Sequence, residues 1–509
     1  MPGPARAHAE KILRKPASRE ESAIRLRRAS REDLDMTDSL ATQFLSEAGR
    51  ARVSRAVDDL RAQFGGRLST GDGVRKQHGR GEAFPMSMLP PDAVAWPEST
   101  ADVSSIVSIC ARHQVPVIPF GAGTSVEGHV NAPYGGVCVD LSRLNQVVAV
   151  NAQDSDCVVQ SGITRETLNT YLRDTGLFFP VDPGANATIG GMLSTRASGT
   201  TTVRYGAMSQ NVLALQAVLA DGRVVRCGTR ARKSAAGYDL VHAFIGAEGT
   251  LGIITEATLR LYGRPESIGS AICAFPTLQA AIDTVIELIQ LGVPVARIEF
   301  LDEVQVRACN THSGLTLPER PMLLMEFHGT NASVAEQTQR AQEVVTSNGG
   351  GSFESATQPE DRARLWKARH AAYFAAIALR PGCEPVVTDV CVPISALAEC
   401  VTATRRDLDA AGLIAPILGH VGDGNYHTVI LLDPSSGDER SRADAVYSAM
   451  IERAHRHGGT CTGEHGIGLG KRDKLVAEVG RDVIGLMREL KRAWDPLGIL
   501  NPGKVLLPV

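Results

Sequence analysis

The segment Gly419-His420-Val421-Gly422-Asp423-Gly424-Asn425-Tyr426-His427 leaves its backbone few choices. Three glycines in so short a run argue against a helix, where each costs roughly 1 kcal/mol relative to alanine. Asp423-Gly424 is instead a strong signal for a two-residue hairpin turn. A turn centred there sets His420 directly opposite His427 on one face, with Cβ atoms roughly 5 Å apart. A divalent ion can bridge two imidazoles at that spacing, and Glu464, in the later run Gly463-Glu464-His465-Gly466, could supply a third ligand. A pair of exposed turn histidines fits the same spacing.

With 509 residues the chain is too long for one compact core, so two or three domains are expected. Its 43% hydrophobic and 21% charged content reads as soluble and globular. A net charge of −3 supplies no basic field for nucleic acid or anionic lipid. No apolar run approaches the length of a membrane span, and 212–220 is short enough to be a buried strand. Ten cysteines are spread singly with no C-x-x-C pair, which argues against a zinc ribbon and a cysteine-ligated iron–sulfur cluster and fits a reducing compartment. Residues 1–36 are rich in Ala, Arg and Lys without an apolar stripe. They read as a disordered tail, as an overlong start ahead of Met36, or as a mitochondrial presequence, and the missing apolar h-region excludes a secretory signal.

Helical periodicity is expected from Thr37 to Phe64, then strand, helix and strand through 93–119 with Ser99 or Thr100 capping the helix. Three glycine-rich segments follow. The first, Phe120-Gly121-Ala122-Gly123-Thr124-Ser125-Val126-Glu127-Gly128, superficially resembles a dinucleotide fingerprint. Its spacing is wrong for one, and the residues after it, 137–141, read as a strand rather than a helix. A run of exposed backbone N–H groups can still cradle phosphate. The second spans 182–194, where Thr188 can open a short helix, and the third spans 246–254 and leads into a strand. Three such loops ahead of residue 265 suggest one long ligand with a phosphate centre and two flat ends, although each alone is also an ordinary tight turn. Gly263-Arg264-Pro265 marks a boundary. Beyond it helices (277–291, 332–348, one opened by Pro359, 394–411, 440–457) alternate with β-rich runs, and a final helix runs from Gly470 to Trp494.

Taken in order, residues 119–125, 183–191, 246–254, the H-x-G-D-G-N-x-H hairpin, Gly463-Glu464-His465-Gly466 and Asn501-Pro502-Gly503-Lys504 resemble the flavoenzymes of the vanillyl-alcohol oxidase type. Within them the chain is similar to the D-2-hydroxyacid dehydrogenase branch: cytochrome-linked D-lactate dehydrogenases, D-2-hydroxyglutarate dehydrogenases and the glycolate oxidase large subunit. The resemblance covers about residue 60 to the C-terminus; one glycine loop would be weak, but the ordered set is specific. It implies an α+β fold: a tail or presequence over 1–36, a two-subdomain FAD-binding unit over 37–265, an α+β cap over 266–470 carrying the hairpin, and a segment 471–509 that returns to the FAD domain. It implies FAD with its pyrophosphate beside Pro119 on the backbone of Gly121, Ala122, Gly123, Thr124 and Ser125. Pro183, Gly184, Thr188, Gly190, Gly191 and Ser194, with Glu248, Gly249, Gly252 and Ile254, would line the rest of the cofactor, and Asn501 would approach the flavin ring. His129 lies beyond the phosphate loop, and non-covalent FAD is expected.

The resemblance also implies roles. Arg369 offers a planar fork to a substrate carboxylate, where a helix-surface salt bridge is the plainer explanation. His420, His427 and Glu464 would hold Zn or Mn, which acidifies the hydroxyl. His465 would be the general base, or else a solvated turn residue. Asn425 would bond the substrate or orient a ligand, or simply serve the turn. Relatives acting on D-2-hydroxyglutarate tend to carry a lysine after the matching arginine, whereas none stands between Arg369 and Val390 here. Tyr373, one turn on, could close the pocket over a small side chain. A short D-2-hydroxy acid, D-lactate foremost, is therefore expected, with Arg380 keeping a dicarboxylate open. Alternatives are a glycolate-oxidising subunit and a flavin-dependent transferase of the ether-lipid type. The expected electron acceptor is cytochrome c, a quinone or an electron-transfer flavoprotein. The expected location is the cytoplasm, at a membrane only through a partner, or the mitochondrion in a eukaryote; a homodimer is compatible with all of this.

Overall fold

The computed structural model describes residues 40–81 and 89–506. The expectations for residues 1–36, including the Met36 start, lie outside these, as does the expected helix start at Thr37. Helix 40–45 breaks at Ser46, whose hydroxyl accepts from the N–H of Gly49 and caps a second helix, Glu47–Phe64.

The first domain contains two small sheets. Ala93–Ala95, Val137–Asp140 and Val117–Phe120 pair in parallel, with Leu68–Ser69 antiparallel at one edge. No helix lies between Val117–Phe120 and Val137–Asp140, so the first glycine segment is a free-standing loop and the Rossmann alternative fails. The second sheet is antiparallel and orders Val147–Asn151, Asp156–Gln160, Ile253–Arg260, Val212–Val218 and Val224–Gly228. The apolar run at 212–220 is thus a central strand, and among the described residues no helix is long and apolar enough to cross a membrane.

The cap is built on an antiparallel sheet that runs from Gly351–Ala356 through Ser267–Ala274, Met322–Gly329, Val295–Leu301, Ile417–Gly419 and Asn425–Leu432 to Glu384–Val387. Period-two alternation buries both faces. Cys273, Phe300 and Met325 face a cluster under helices Leu278–Gln290, Asn331–Ser347, Ile394–Ala410 and Gly437–Arg456. Ile272, Leu301 and Leu324 face helices Glu303–Ser313 and Pro359–Ala378. Pro359 sits in the first turn of the second of these, where a missing N–H is harmless.

Two expectations need correction. The terminal helix Arg472–Trp494 is interrupted at Gly480, where φ is 79° and ψ 166°, so it is two helices. The chain also returns to the first domain later than residue 471. Leu475 and Ile484 pack in the cap core, whereas Trp494 meets Phe244 at 4.8 Å and Ile499 and Leu500 join the parallel sheet's core. Val117 donates to Ile499 O and Asn501 to Val117 O, both at 2.8 Å, which fixes the last turn against the strand that leads into the first loop.

Candidate active site

A cavity of about 460 Å³ lies between the domains. Every residue expected to hold FAD lines it, from Pro119 in the first loop to Asn501 in the last. The loops press on one another so closely that side chains are excluded. A Cβ on Gly121 would sit 2.2 Å from Thr188 Oγ1, and one on Gly249, at φ +73°, would sit 2.3 Å from Pro119. Thr188 caps the short helix Ile189–Thr195 by accepting from the N–H of Gly191. Ser125 Oγ, Ser161 Oγ and Asn501 Oδ1 are buried here without a protein partner, as a cradle awaiting polar ligand groups would leave them. Besides lining the cavity, Glu248 has a structural task. Its carboxylate accepts from the N–H groups of Ile467 (2.7 Å) and Gly468 (2.8 Å), so it fastens the cap to the third loop. Asn501 donates to the carbonyls of His129 (3.1 Å) and Glu248 (2.7 Å), which ties the first and third loops.

The opposite wall is formed by the cap, where Arg369, Tyr373, Phe374, Val387, Glu464 and His465 line the cavity. The histidine hairpin behind them is not the predicted two-residue turn. Leu418, not His420, pairs with His427, and Val421–Asp423 makes a 3-10 turn before Gly424 at φ 79°. The longer loop folds His420 back beside the ladder, so the two rings still meet, with centroids 5.7 Å apart. At 7% and 6% exposure they are not exposed turn histidines.

Their tautomers follow from their partners. His420 Nδ1 lies 2.7 Å from Glu299 Oε1 and His427 Nδ1 lies 3.1 Å from the Thr388 carbonyl, which places the proton on Nδ1 of each. Both Nε2 atoms then face one spot. Glu464 Oε1 stands there, 3.3 Å from one and 3.4 Å from the other, while Ser198 Oγ steadies its other oxygen at 2.8 Å. The three ligand atoms lie within 4.8 Å of one another, and imidazoles backed by a carboxylate and a carbonyl are the arrangement a divalent cation selects. Burial works against charge here, yet without a cation Glu299 and Glu464 hold the His420 imidazole well above its ordinary range, so a metal ion would bind there by displacing the Nε2 proton.

His465 stacks on His427 at 5.2 Å. Burial pushes its imidazole down to about 4, against the pull of Asp389, so at neutral pH it is an uncharged proton acceptor. Arg369 Nε pairs with Glu299 Oε2 at 2.7 Å, and among the described residues its terminal nitrogens take no hydrogen-bond partner. Asn425 does not line the cavity. Its amide donates to Asp389 Oδ1 and Val390 O, both at 2.8 Å, so a direct substrate contact is corrected to a supporting one. Arg380 is also away from the cavity, paired with Glu439 at 2.7 Å, and gives no support to a dicarboxylate substrate.

Sequence reasoning missed Glu299, Asp389 and Lys471, all buried. The available signal was an acid inside an apolar strand, as in Arg297-Ile298-Glu299-Phe300-Leu301, because a charge on a buried face must have a partner.

Comparison with known proteins agrees with this geometry. Residues 91–228 match the model of an FAD binding domain, and residues 264–505 match that of the FAD linked oxidases, C-terminal domain. A probable mitochondrial D-lactate dehydrogenase of Danio rerio is 51% identical over 90% of this chain and 93% of its own length. The mitochondrial D-lactate dehydrogenase [cytochrome] of Arabidopsis thaliana is 45% identical over 89% of this chain and 80% of its own. Among solved structures, the 4-ethylphenol oxidase of Gulosibacter chungangensis shares the fold, with a TM-score of 0.73 at 20% identity over 90% of this chain and 98% of that one.

Proposed function

Since the chain belongs to the FAD-linked oxidases, in their D-lactate dehydrogenase branch, we propose that it oxidises D-lactate to pyruvate with a divalent cation at His420, His427 and Glu464. The observation that carries this reading is a single cavity with the glycine cradle on one wall and Arg369, Glu464 and His465 on the other. When bound, FAD supplies a two-electron acceptor and Zn or Mn a Lewis acid that lowers the pKa of the substrate hydroxyl.

The chain's own residues do the rest. Arg369, oriented by Glu299, takes the substrate carboxylate on its fork. Tyr373, Phe374 and Val387 pack around the methyl group, a wall without charge that suits lactate better than a diacid. Neutral His465 accepts the hydroxyl proton while Asp389 holds its backbone in place. Non-covalent FAD and cytochrome c as acceptor complete the reading, with a quinone or electron-transfer flavoprotein as the other acceptor classes. The relatives from Danio rerio and Arabidopsis thaliana are named as mitochondrial, and in a eukaryote that compartment is the expected one.

The test is an anaerobic panel of D- and L-2-hydroxy acids, following loss of visible flavin absorbance. Bleaching by D-lactate and not by L-lactate or D-2-hydroxyglutarate is expected. A flavin that stays oxidised with D-lactate would overturn the reading.

A further inference from the structure

The turn Gly463-Glu464-His465-Gly466 has no helix or strand to hold it. What holds it is Asp389, which is fully buried. Its Oδ2 accepts from the backbone N–H of Glu464 (3.1 Å), the backbone N–H of His465 (3.0 Å) and the Thr462 hydroxyl (2.7 Å). Its Oδ1 accepts from the Asn425 amide (2.8 Å), two residues before His427. One carboxylate therefore fixes the turn with the proposed ligand and base, and the strand bearing another ligand.

A carboxylate so deeply buried needs a counter-charge. Lys471, 1% exposed at the start of the terminal helix, supplies it, with Nζ 3.6 Å from Asp389 Oδ2. The same ammonium lies 3.1 Å from Glu127 Oε1, and Glu127 belongs to the first glycine loop. The Glu127 carbonyl in turn accepts from the N–H of Leu469 at 2.8 Å. Lys471 thus stands between two buried carboxylates, one from the first glycine loop and one from the cap.

We propose that Lys471 is a positioning residue: paired with Asp389 it sets the Glu464–His465 turn, and paired with Glu127 it sets that turn against the cofactor loop. The inference rests on the roles given above to Glu464 and His465. It assigns Lys471 no contact with substrate. Removal should loosen the metal site and misplace the base while leaving the Arg369–Glu299 pair that receives the carboxylate.

The experiment compares wild type and Lys471→Met as FAD holoenzymes, with Zn and Mn per chain by elemental analysis, flavin by absorbance, and kcat and KM for D-lactate with a dye acceptor. Flavin should be retained, metal affinity should drop and kcat should fall by about tenfold or more, the range seen when a supporting partner is lost. KM should change by less than about threefold, because ground-state binding of the carboxylate is untouched. Wild-type metal content with wild-type kcat in the folded variant would overturn the proposal. The double variant Lys471→Met/Glu127→Gln separates the two pairings: kcat stays low if Lys471 acts through Asp389, and full recovery would overturn the proposal by reducing Lys471 to a neutraliser of Glu127. Should Lys471→Met fail to fold, Asp389→Asn takes its place with the same expectations, since it keeps the volume and sets an amide N–H among the donors of Glu464 and His465. A wild type that ignores D-lactate would remove the substrate reading alone, because the metal count still decides the inference. A wild type that binds neither Zn nor Mn would remove the metal reading alone, and the split between kcat and KM still decides it.

Discussion

The two walls of the cavity are made of different material. The cradle is backbone: loops that interlock because Gly121 and Gly249 have no side chain to keep Thr188 and Pro119 away. The cap wall is side chain: Arg369, Glu464 and His465 line it with His420 and His427 behind, and buried Glu299 serves both Arg369 and His420. A backbone cradle depends on volume, so it fails when a methyl group is added. A side-chain constellation depends on charge and hydrogen bonds, so it fails when a partner is removed at constant volume. Binding of a long cofactor and activation of a small substrate are thereby separated, and each wall should be breakable without the other.

The largest effect expected is on the cap wall alone. His465→Ala should lower turnover by about 10²–10⁴-fold, the usual range for a general base, with flavin absorbance unchanged. Turnover at the wild-type rate would strip His465 of that role. Arg369→Ala should cost about 2–5 kcal/mol in kcat/KM, mainly as a higher KM, because it removes the carboxylate fork and leaves Glu299 buried with one partner fewer. Steady-state kinetics on D-lactate would show this, and an unaltered KM would return Arg369 to a purely structural pair.

The converse break is on the cradle. Gly249→Ala places a Cβ against Pro119 at φ +73°, a strain of about 1–3 kcal/mol. The variant should purify with less flavin and still bind Zn or Mn as wild type does; full flavin content would show the loop to be softer than its contacts imply. The smallest effect sharpens the boundary between the walls. Ser198 belongs to the first domain, yet its hydroxyl steadies Glu464. Ser198→Ala should weaken metal binding by about tenfold without loss of flavin, measured by competition with a chelator.

The glycine loops were legible because their signal is local. Thr188 as a helix cap and the strand that follows the first loop are consequences of neighbouring residues. The nearness of His420 and His427 was also legible, though by an incorrect register: Asp423-Gly424 announced a turn, and its type depended on Val421–Asp423 winding once before Gly424. Asn425 was left between substrate contact, ligand orientation and the turn because residue type says it can donate a hydrogen bond and not to whom. Arg380 was kept as a candidate for the same reason, and Glu439 had already engaged it.

By itself the sequence determined where the backbone must bend and which stretches must be buried, since φ/ψ limits and hydrophobic period act between residues close in the chain. Only the tertiary structure decided which buried charge meets which. Glu299 reaches His420 across 121 positions and Asp389 reaches His465 across 76. Coulomb attraction and hydrogen bonding depend on separation in space, and in the dry interior they exact a partner for every charge. The identity of that partner emerges only when the sheet of the cap and the loops of the first domain close on each other.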